Sequence, residues 1–400
     1  MDTSHPATMK DRCVLWVVAE DWFFRLHYQP LAEALVAAGA EVHLAARVGR
    51  RGGGDVSAIE AAGIQVHPLA KLDRTGLDPR ADMGAVAELT ALCRRLAPVL
   101  VQTVALKPAI YGSIAARRAG VAARCAWLPG LGHVFTDRGV KAWLLRPIVT
   151  GLLRWALGDG TTRTMVLNAD DRDMVAGLIG TPQDRVVVMP GTGINLDRFT
   201  ASDEPPGPII AAFTGRMLTE KGLVELVKAA RQVRARGVDL EVWLVGAPDL
   251  ENPTAIPAAT LSDWTRKGDV IWKGPTSDIP EVWRAAHFAV LPSHREGLSM
   301  SLLEAAACGR PAVTTDVPGC REAIVDGVTG LLVPPRDPAA LAEALVDLAT
   351  DGDRRRRMGL AARERIEDQF DIATVCSRLM SLYDETLAAA DRASARSTGR

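Results

Sequence analysis

Two carboxylates and two cations stand at spacings that could bind an anionic ligand. Glu296 and Glu304 are separated by seven residues in the run Ser293-His-Arg-Glu-Gly-Leu-Ser-Met-Ser-Leu-Leu-Glu. The apolar strand Phe288–Leu291 comes just before, so this run leaves a strand's carboxyl end. Gly297 lets the backbone approach a ligand closely. The helix expected near Ser299 or Ser301 would add free N–H groups and the positive end of its dipole, an anion site. Arg216 and Lys221 lie in Thr214-Gly-Arg-Met-Leu-Thr-Glu-Lys-Gly222, again between a strand and a helix. Cations there oppose the helix dipole, which points to an anion that they neutralise. Two bland readings stay open. Ser301-Leu-Leu-Glu304 also fits a capping box, in which Glu304 only reaches back to an N-terminal amide. The Arg216–Lys221 loop alone could be an ordinary charged turn. Glu296, on a tight Arg-Glu-Gly turn, has no evident structural task.

These loops need sheets to hold them. The 400 residues suggest two domains, and 48% apolar with 24% charged residues fits a globular enzyme. A net charge of −1 argues against a general nucleic-acid binder. Six scattered cysteines without a C-x-x-C pair read as reduced thiols. The apolar run Cys13–Ala19 meets Glu20 and Asp21 at once, so it reads as a first strand and not as a signal peptide. No apolar stretch reaches the ~18 residues of a membrane span, and a cytoplasmic location is expected.

Apolar strands alternate with helical patterns along the chain, the mark of parallel α/β architecture. Strands are expected at Val14–Ala19, Glu41–Ala46, Ile64–His67, Val99–Thr103, Ala123–Leu128, Thr164–Leu167 and Arg185–Met189. A second set follows at Ile209–Thr214, Leu240–Val245, Val270–Trp272, Phe288–Leu291, Ala312–Thr315 and Gly330–Val333. Between the sets lies Ala-Ser-Asp-Glu-Pro-Pro-Gly-Pro, where three prolines in four positions stop regular structure. The expected organisation is therefore an N-terminal domain over 1–200, a linker at 201–208 and a C-terminal domain over 209–372. A helix over 373–390 would pack back on the N-terminal domain, and 391–400 would be a disordered tail. In such sheets ligands bind outside the carboxyl ends of the strands.

The pair Gly-Arg-x4-Lys-Gly (215–222) and Glu-x7-Glu (296–304) resembles family 4 of the retaining GT-B glycosyltransferases, over most of the chain from Val14 to about Leu382. Within that family the chain is most similar to bacterial enzymes that extend a sugar on undecaprenyl diphosphate, of the N-acetylgalactosaminyl type. Glu20–His27, Leu106–Gly112 and the segment 130–136 carry that finer match. The resemblance implies an α/β GT-B fold, two Rossmann-like doubly wound domains facing each other across a cleft. It implies a hexosyltransferase taking a nucleotide-sugar donor, preferably a UDP-N-acetylhexosamine, and a lipid-linked or saccharide acceptor in surface-glycan assembly. GDP-mannose is the second choice of donor, and a UDP-sugar 2-epimerase of the same fold is the rival reading. No cofactor and no divalent metal are expected.

Residue by residue, the resemblance makes Arg216 and Lys221 the cations that neutralise the donor diphosphate and the departing nucleotide. Glu296 would hold donor-sugar hydroxyls, helped by the backbone of Gly297, Leu298 and Ser299. Glu304 would bind the ribose, Leu302 would line the nucleoside pocket, and His133 would lie near the sugar. Gly215 and Lys273, the latter in the strand end 272–274, are further expected donor contacts. Many members have a Gly-Gly turn after the first strand; here Ala19-Glu-Asp-Trp-Phe-Phe replaces it, so no phosphate contact is assigned there. Retention would proceed by front-side attack, the departing phosphate taking the acceptor proton. A double displacement would need a nucleophilic carboxylate, and Glu296, engaged with hydroxyls, is unsuited to that.

Three weaker signals complete the reading. Residues 140–157 combine Trp143 and Trp155 with Lys141, Arg146 and Arg154; they could lie on an anionic membrane surface as a basic amphipathic helix, or simply pack. Pro147 would kink or restart that helix. Arg354–Arg357 reads as a solvated helix face, and Asp351-Gly-Asp353 as a helix cap and not a metal motif. The seven histidines form no close pair with zinc-ligand spacing, and no G-x-G-x-x-G follows the first strand, which disfavours a dinucleotide oxidoreductase.

Overall fold

The computed structural model describes residues 9–49, 56–72, 78–130, 135, 139–249 and 252–398. The chain forms two compact units, 1–192 with 372–400, and 193–371.

The first unit holds a seven-stranded parallel sheet. Its strands are β1 (Cys13–Glu20), β2 (Glu41–Arg47), β3 (Ile64–Pro68), β4 (Leu100–Val104), β5 (Ala123–Trp127), β6 (Thr162–Val166) and β7 (Val186–Val188). They lie in the order β3-β2-β1-β4-β5-β6-β7. Their near-continuous burial explains why they read as apolar runs without alternation. One face packs on Trp16, Phe24, Tyr28, Trp127 and the helix Ile372–Thr398. The other packs on helices that include Pro79–Leu96, Leu106–Arg118 and Val140–Leu157.

The second unit repeats the plan with six strands: β8 (Ile209–Thr214), β9 (Leu240–Val245), β10 (Ile271–Gly274), β11 (Phe288–Leu291), β12 (Ala312–Thr315) and β13 (Gly330–Val333). Their order is β10-β9-β8-β11-β12-β13. In each sheet the winding reverses beside the first strand, between β1 and β4 and between β8 and β11. The crevice outside the carboxyl ends at such a reversal is where ligands bind in this architecture.

Several expectations need correction. The chain enters the second unit at Gly193, before the proline-rich stretch 201–208. That stretch is held there by buried arginines: Arg310 donates to the Ser202 and Asp203 carbonyls, and Arg355 pairs with Glu204 at 2.7 Å. Arg355 is thus a buried strut, not part of a solvated face. The last helix continues to Thr398 and leaves no irregular tail from 391 to that point. Alanine and arginine, both strong helix formers, extend it beyond the apolar pattern. Residues 140–157 form one helix that runs through Pro147 without a restart. Pro147 is exposed, so the carbonyl left without its amide can be hydrated. Among the described residues no helix is long and apolar enough to cross a membrane.

Candidate functional site

β8 and β11 lie side by side, with Phe288 opposite Ala211, so the loops leaving them share one end of the sheet. The loop after β8 ends in a short 3-10 turn, Thr219–Lys221, then Gly222 at the start of the helix Leu223–Ala235. Gly222 has φ +74, and a Cβ there would stand 1.9 Å from the Pro292 carbonyl oxygen. Only glycine satisfies both constraints. The loops are also stitched by polar bonds: the His294 N–H donates to the Glu220 carbonyl at 2.9 Å, and Ser293 Oγ reaches the same oxygen.

The result is a direct contact between the two sequence motifs. Lys221 Nζ lies 2.5 Å from Glu296 Oε1, both side chains largely enclosed. The turn that carries Glu296 rests on Gly319, whose N–H donates to the Glu296 carbonyl; any Cβ at 319 would press on Gly297 at 2.5 Å. Ser299 caps the helix Met300–Ala307, its Oγ accepting from the Leu302 N–H at 3.4 Å. Ser301 therefore does not cap, and Glu304 lies beyond reach of a capping box. Glu304 instead stands in an enclosed setting. Burial pushes its carboxyl up to about 7 from 4.5, against the pull of Arg198 and then of Trp283.

Arg216 leaves the end of β8 and pairs with Asp249, beyond β9, at 2.9 Å. Gly215 and Gly246 let the two strand ends meet: a Cβ on Gly246 would stand 1.9 Å from the Gly215 carbonyl oxygen. Leu298 and Leu302 are buried in the core. Lys273 is on β10 at the sheet edge, its ammonium 4.1 Å from the Trp243 ring centre, and is not brought to the Lys221–Glu296 pair. His133 lies outside the described residues. His294 stands 3.3 Å from Glu225, which gives it a structural neighbour.

Some features were not read from sequence. Asp249 and Gly319 come from distant segments and carry no local signal. In the first unit, Ala105 follows β4 at φ +74, ψ 167, backbone nearly reserved for glycine. Such a residue stores about 1–3 kcal/mol of strain and tends to mark functional sites. Two residues on, Lys107 pairs with Asp82 at 3.2 Å. Nearby in the same unit, Glu20 and Asp21 are buried at the carboxyl end of β1.

Comparison with known proteins bears on the family and the fold. Residues 208–351 match the family model "Glycosyl transferases group 1", and residues 26–192 match "Glycosyl transferase 4-like domain". The chain is 28% identical to the N,N'-diacetylbacillosaminyl-diphospho-undecaprenol alpha-1,3-N-acetylgalactosaminyltransferase of Campylobacter jejuni, over 79% of this chain and 85% of that one. It spans about half the length of the D-inositol 3-phosphate glycosyltransferases that it also matches. Among solved structures, sucrose-phosphate synthase from Thermosynechococcus elongatus superposes with a TM-score of 0.74 at 20% identity, covering 94% of this chain and 100% of the other. Anabaena HepE in complex with UDP and glucose superposes at 0.71 and 14% identity, over 92% and 99%. With two matched family models and a doubly wound sheet in each unit, the chain belongs to the family 4, or group 1, glycosyltransferases of the GT-B fold.

Proposed function

We propose that this glycosyltransferase moves an N-acetylhexosamine from a UDP-sugar, with retention, onto a glycan carried by polyprenyl diphosphate. The observation that carries the reading is the Lys221–Glu296 pair at the β8/β11 reversal. A cation and an anion fixed together suit a ligand with a diphosphate at one end and hydroxyls at the other. Lys221 and Arg216 would exchange Glu296 and Asp249 for the diphosphate and supply the positive charge that a metal supplies elsewhere. Glu296 would then hold sugar hydroxyls, with the amides of 297–299 beside it. Glu304, once ionised, would accept from both ribose hydroxyls.

In the reaction the acceptor hydroxyl attacks the anomeric carbon from the face that the leaving group departs. The new C–O bond forms as the bond to the β-phosphate oxygen breaks. The hydroxyl proton passes to a phosphate oxygen. Arg216 and Lys221 stabilise the charge that develops on UDP. Support for the donor comes from HepE, described with UDP, and support for donor sugar and acceptor from the Campylobacter relative's name.

The helix Val140–Leu157 supports delivery of the acceptor at a bilayer. Trp143, Ile148 and Trp155 are 66%, 59% and 48% exposed, and Leu144 lies among them. The helix has no acidic residue but carries Lys141, Arg146 and Arg154. An apolar stripe flanked by positive charge alone suits an anionic lipid surface.

The test is calorimetric titration with UDP and with GDP. UDP is expected to bind more tightly, with binding weakened in Lys221→Ala and Glu304→Ala, and Lys221→Ala should lower kcat by about 10²–10³-fold. A GDP preference would move the donor to mannose chemistry, and binding of neither nucleotide would overturn the reading. Unchanged turnover in chelator would support charge neutralisation by side chains.

A further inference from the structure

At the amino ends of the strands in the first unit, opposite the ends where ligands bind in such sheets, three dissimilar donor residues converge. Cys13 opens β1 and is the register partner of Glu41, which opens β2. His43 follows two residues later on the same face of β2. The Cys13 sulfur, a Glu41 carboxylate oxygen and a His43 ring nitrogen all lie within 4.8 Å of one another. Behind them His67, on β3, holds His43: its Nε2 is 2.9 Å from His43 Nδ1.

His43 is the telling residue. Its side chain is 2% exposed, and its outer nitrogen Nε2 is buried with no hydrogen-bond partner. That nitrogen stands 3.1 Å from Glu41 Oε1, at ion-pair distance but without a hydrogen bond. In the tautomer in which Nδ1 donates to His67, Nε2 presents a lone pair toward the Glu41 carboxylate and the Cys13 thiol. An imidazole nitrogen, a carboxylate and a thiol gathered in a half-buried spot are the ligand types that a zinc ion takes.

We propose that Cys13, Glu41 and His43 form a zinc site, with His67 as the outer partner that orients His43. Sulfur and imidazole together select zinc over magnesium or calcium, which take oxygen ligands. Zinc needs ligands at about 2.0–2.3 Å in a tetrahedron. Closing onto the ion asks movement chiefly of Glu41, which is 56% exposed and would give up its 3.3 Å bond from Gln65. Water enters from that same open side and takes the fourth position. On binding, the Cys13 thiol gives its proton to solvent and becomes the thiolate ligand. His67 plays the part that a second hydrogen-bonding shell plays at zinc histidines, fixing tautomer and ring angle. The ion would pin β1 to β2 at their starts and would shield Cys13, the one cysteine of six that is not buried.

The test uses tag-free, full-length protein stripped with chelator, then titrated with Zn²⁺ against a chromophoric competitor and, separately, with Co²⁺. One equivalent per chain is expected, with a thiolate-to-cobalt charge-transfer band. Cys13→Ser should abolish that band and weaken zinc at least tenfold. Glu41→Gln, at an exposed position, should weaken it without harming the fold, and His67→Ala by about 10–100-fold as an outer partner. Zinc should also slow the reaction of Cys13 with a thiol reagent. Zinc affinity unaltered by Cys13→Ser, or a Cys13 equally reactive with and without zinc, would overturn the proposal. UDP binding should be the same in all these variants, so this site and the donor site stand or fall separately.

Discussion

The most informative single residue is Glu304, because its charge state is set by the fold. Burial raises its carboxyl from 4.5 to about 7. The folded protein therefore holds a proton that the unfolded chain has released. That contribution to stability is present below about pH 4.5 and is lost as pH rises to about 7. Ribose hydroxyls donate to a carboxylate, so the nucleotide should favour the ionised form. UDP binding is then expected to weaken as pH falls below 7 and to release a proton near neutrality. Calorimetry in buffers of different ionisation enthalpy would show the release, and Glu304→Gln should remove the pH dependence; a dependence unchanged in that variant would count against a ribose contact. The sequence showed Glu304 as a candidate but left its role open between cap and ligand. The cap reading failed because Ser299, not Ser301, begins the helix, a choice between two serines that spacing alone does not make. The raised carboxyl was invisible for a different reason: its cause is burial by the folded structure, which outweighs the opposing pull of Arg198 and Trp283.

Among the elements, the turn after β8 depends on one glycine. Gly222→Ala should disrupt the Lys221–Glu296 pairing, since the new methyl group would meet the Pro292 carbonyl in a backbone conformation that L residues rarely adopt. UDP binding should fall at least tenfold and the melting temperature should drop. Gly237→Ala is the control, with the same positive φ but open space around it, and should cost only about 1 kcal/mol. If both variants behave alike, the close approach at Pro292 is not what fixes the turn. The helix Val140–Leu157 gives a second test at this scale. Trp143→Ser with Ile148→Ser should reduce cosedimentation with anionic vesicles, and residual binding should decline with salt, while UDP affinity stays the same. Equal sedimentation of wild type and variant would remove this face from the acceptor reading. Strand positions were legible because buried parallel strands are apolar on both faces, and all thirteen expected strands appear within two residues of their predicted ends. The exposed side of the 140–157 helix was not, since Trp143 and Trp155 read equally as core or as surface until the sheet beneath is in place. The Cys13–Glu41–His43 group was hidden in the same way: Cys13 is far in sequence from Glu41 and His43 and meets them only through parallel pairing.

For the whole molecule, the last 27-residue helix explains why the units cannot be cut at the simplest point. The chain leaves the first unit at Thr192 and comes back to it at Ile372. There the returning helix covers one face of the seven-stranded sheet. Val375, Leu379 and Tyr383 pack with Trp16, Tyr28 and Trp127, and the Tyr383 hydroxyl donates to Gln102 Oε1 at 2.9 Å inside the core. A chain ending at Asp371 would expose that whole face and strand Gln102 without its partner. It should be recovered unfolded or aggregated, although every residue of the proposed donor site is retained. A chain ending at Asp391 keeps the helix's buried residues through Ala390 and should fold and bind UDP like the full protein. Tyr383→Phe separates the two causes. It keeps the ring and removes only the hydroxyl, so it should cost about 1–3 kcal/mol through the unpaired Gln102 amide oxygen. Denaturant unfolding of the three variants gives the ranking, and a stable, soluble chain ending at Asp371 would show that the first unit folds without its last helix.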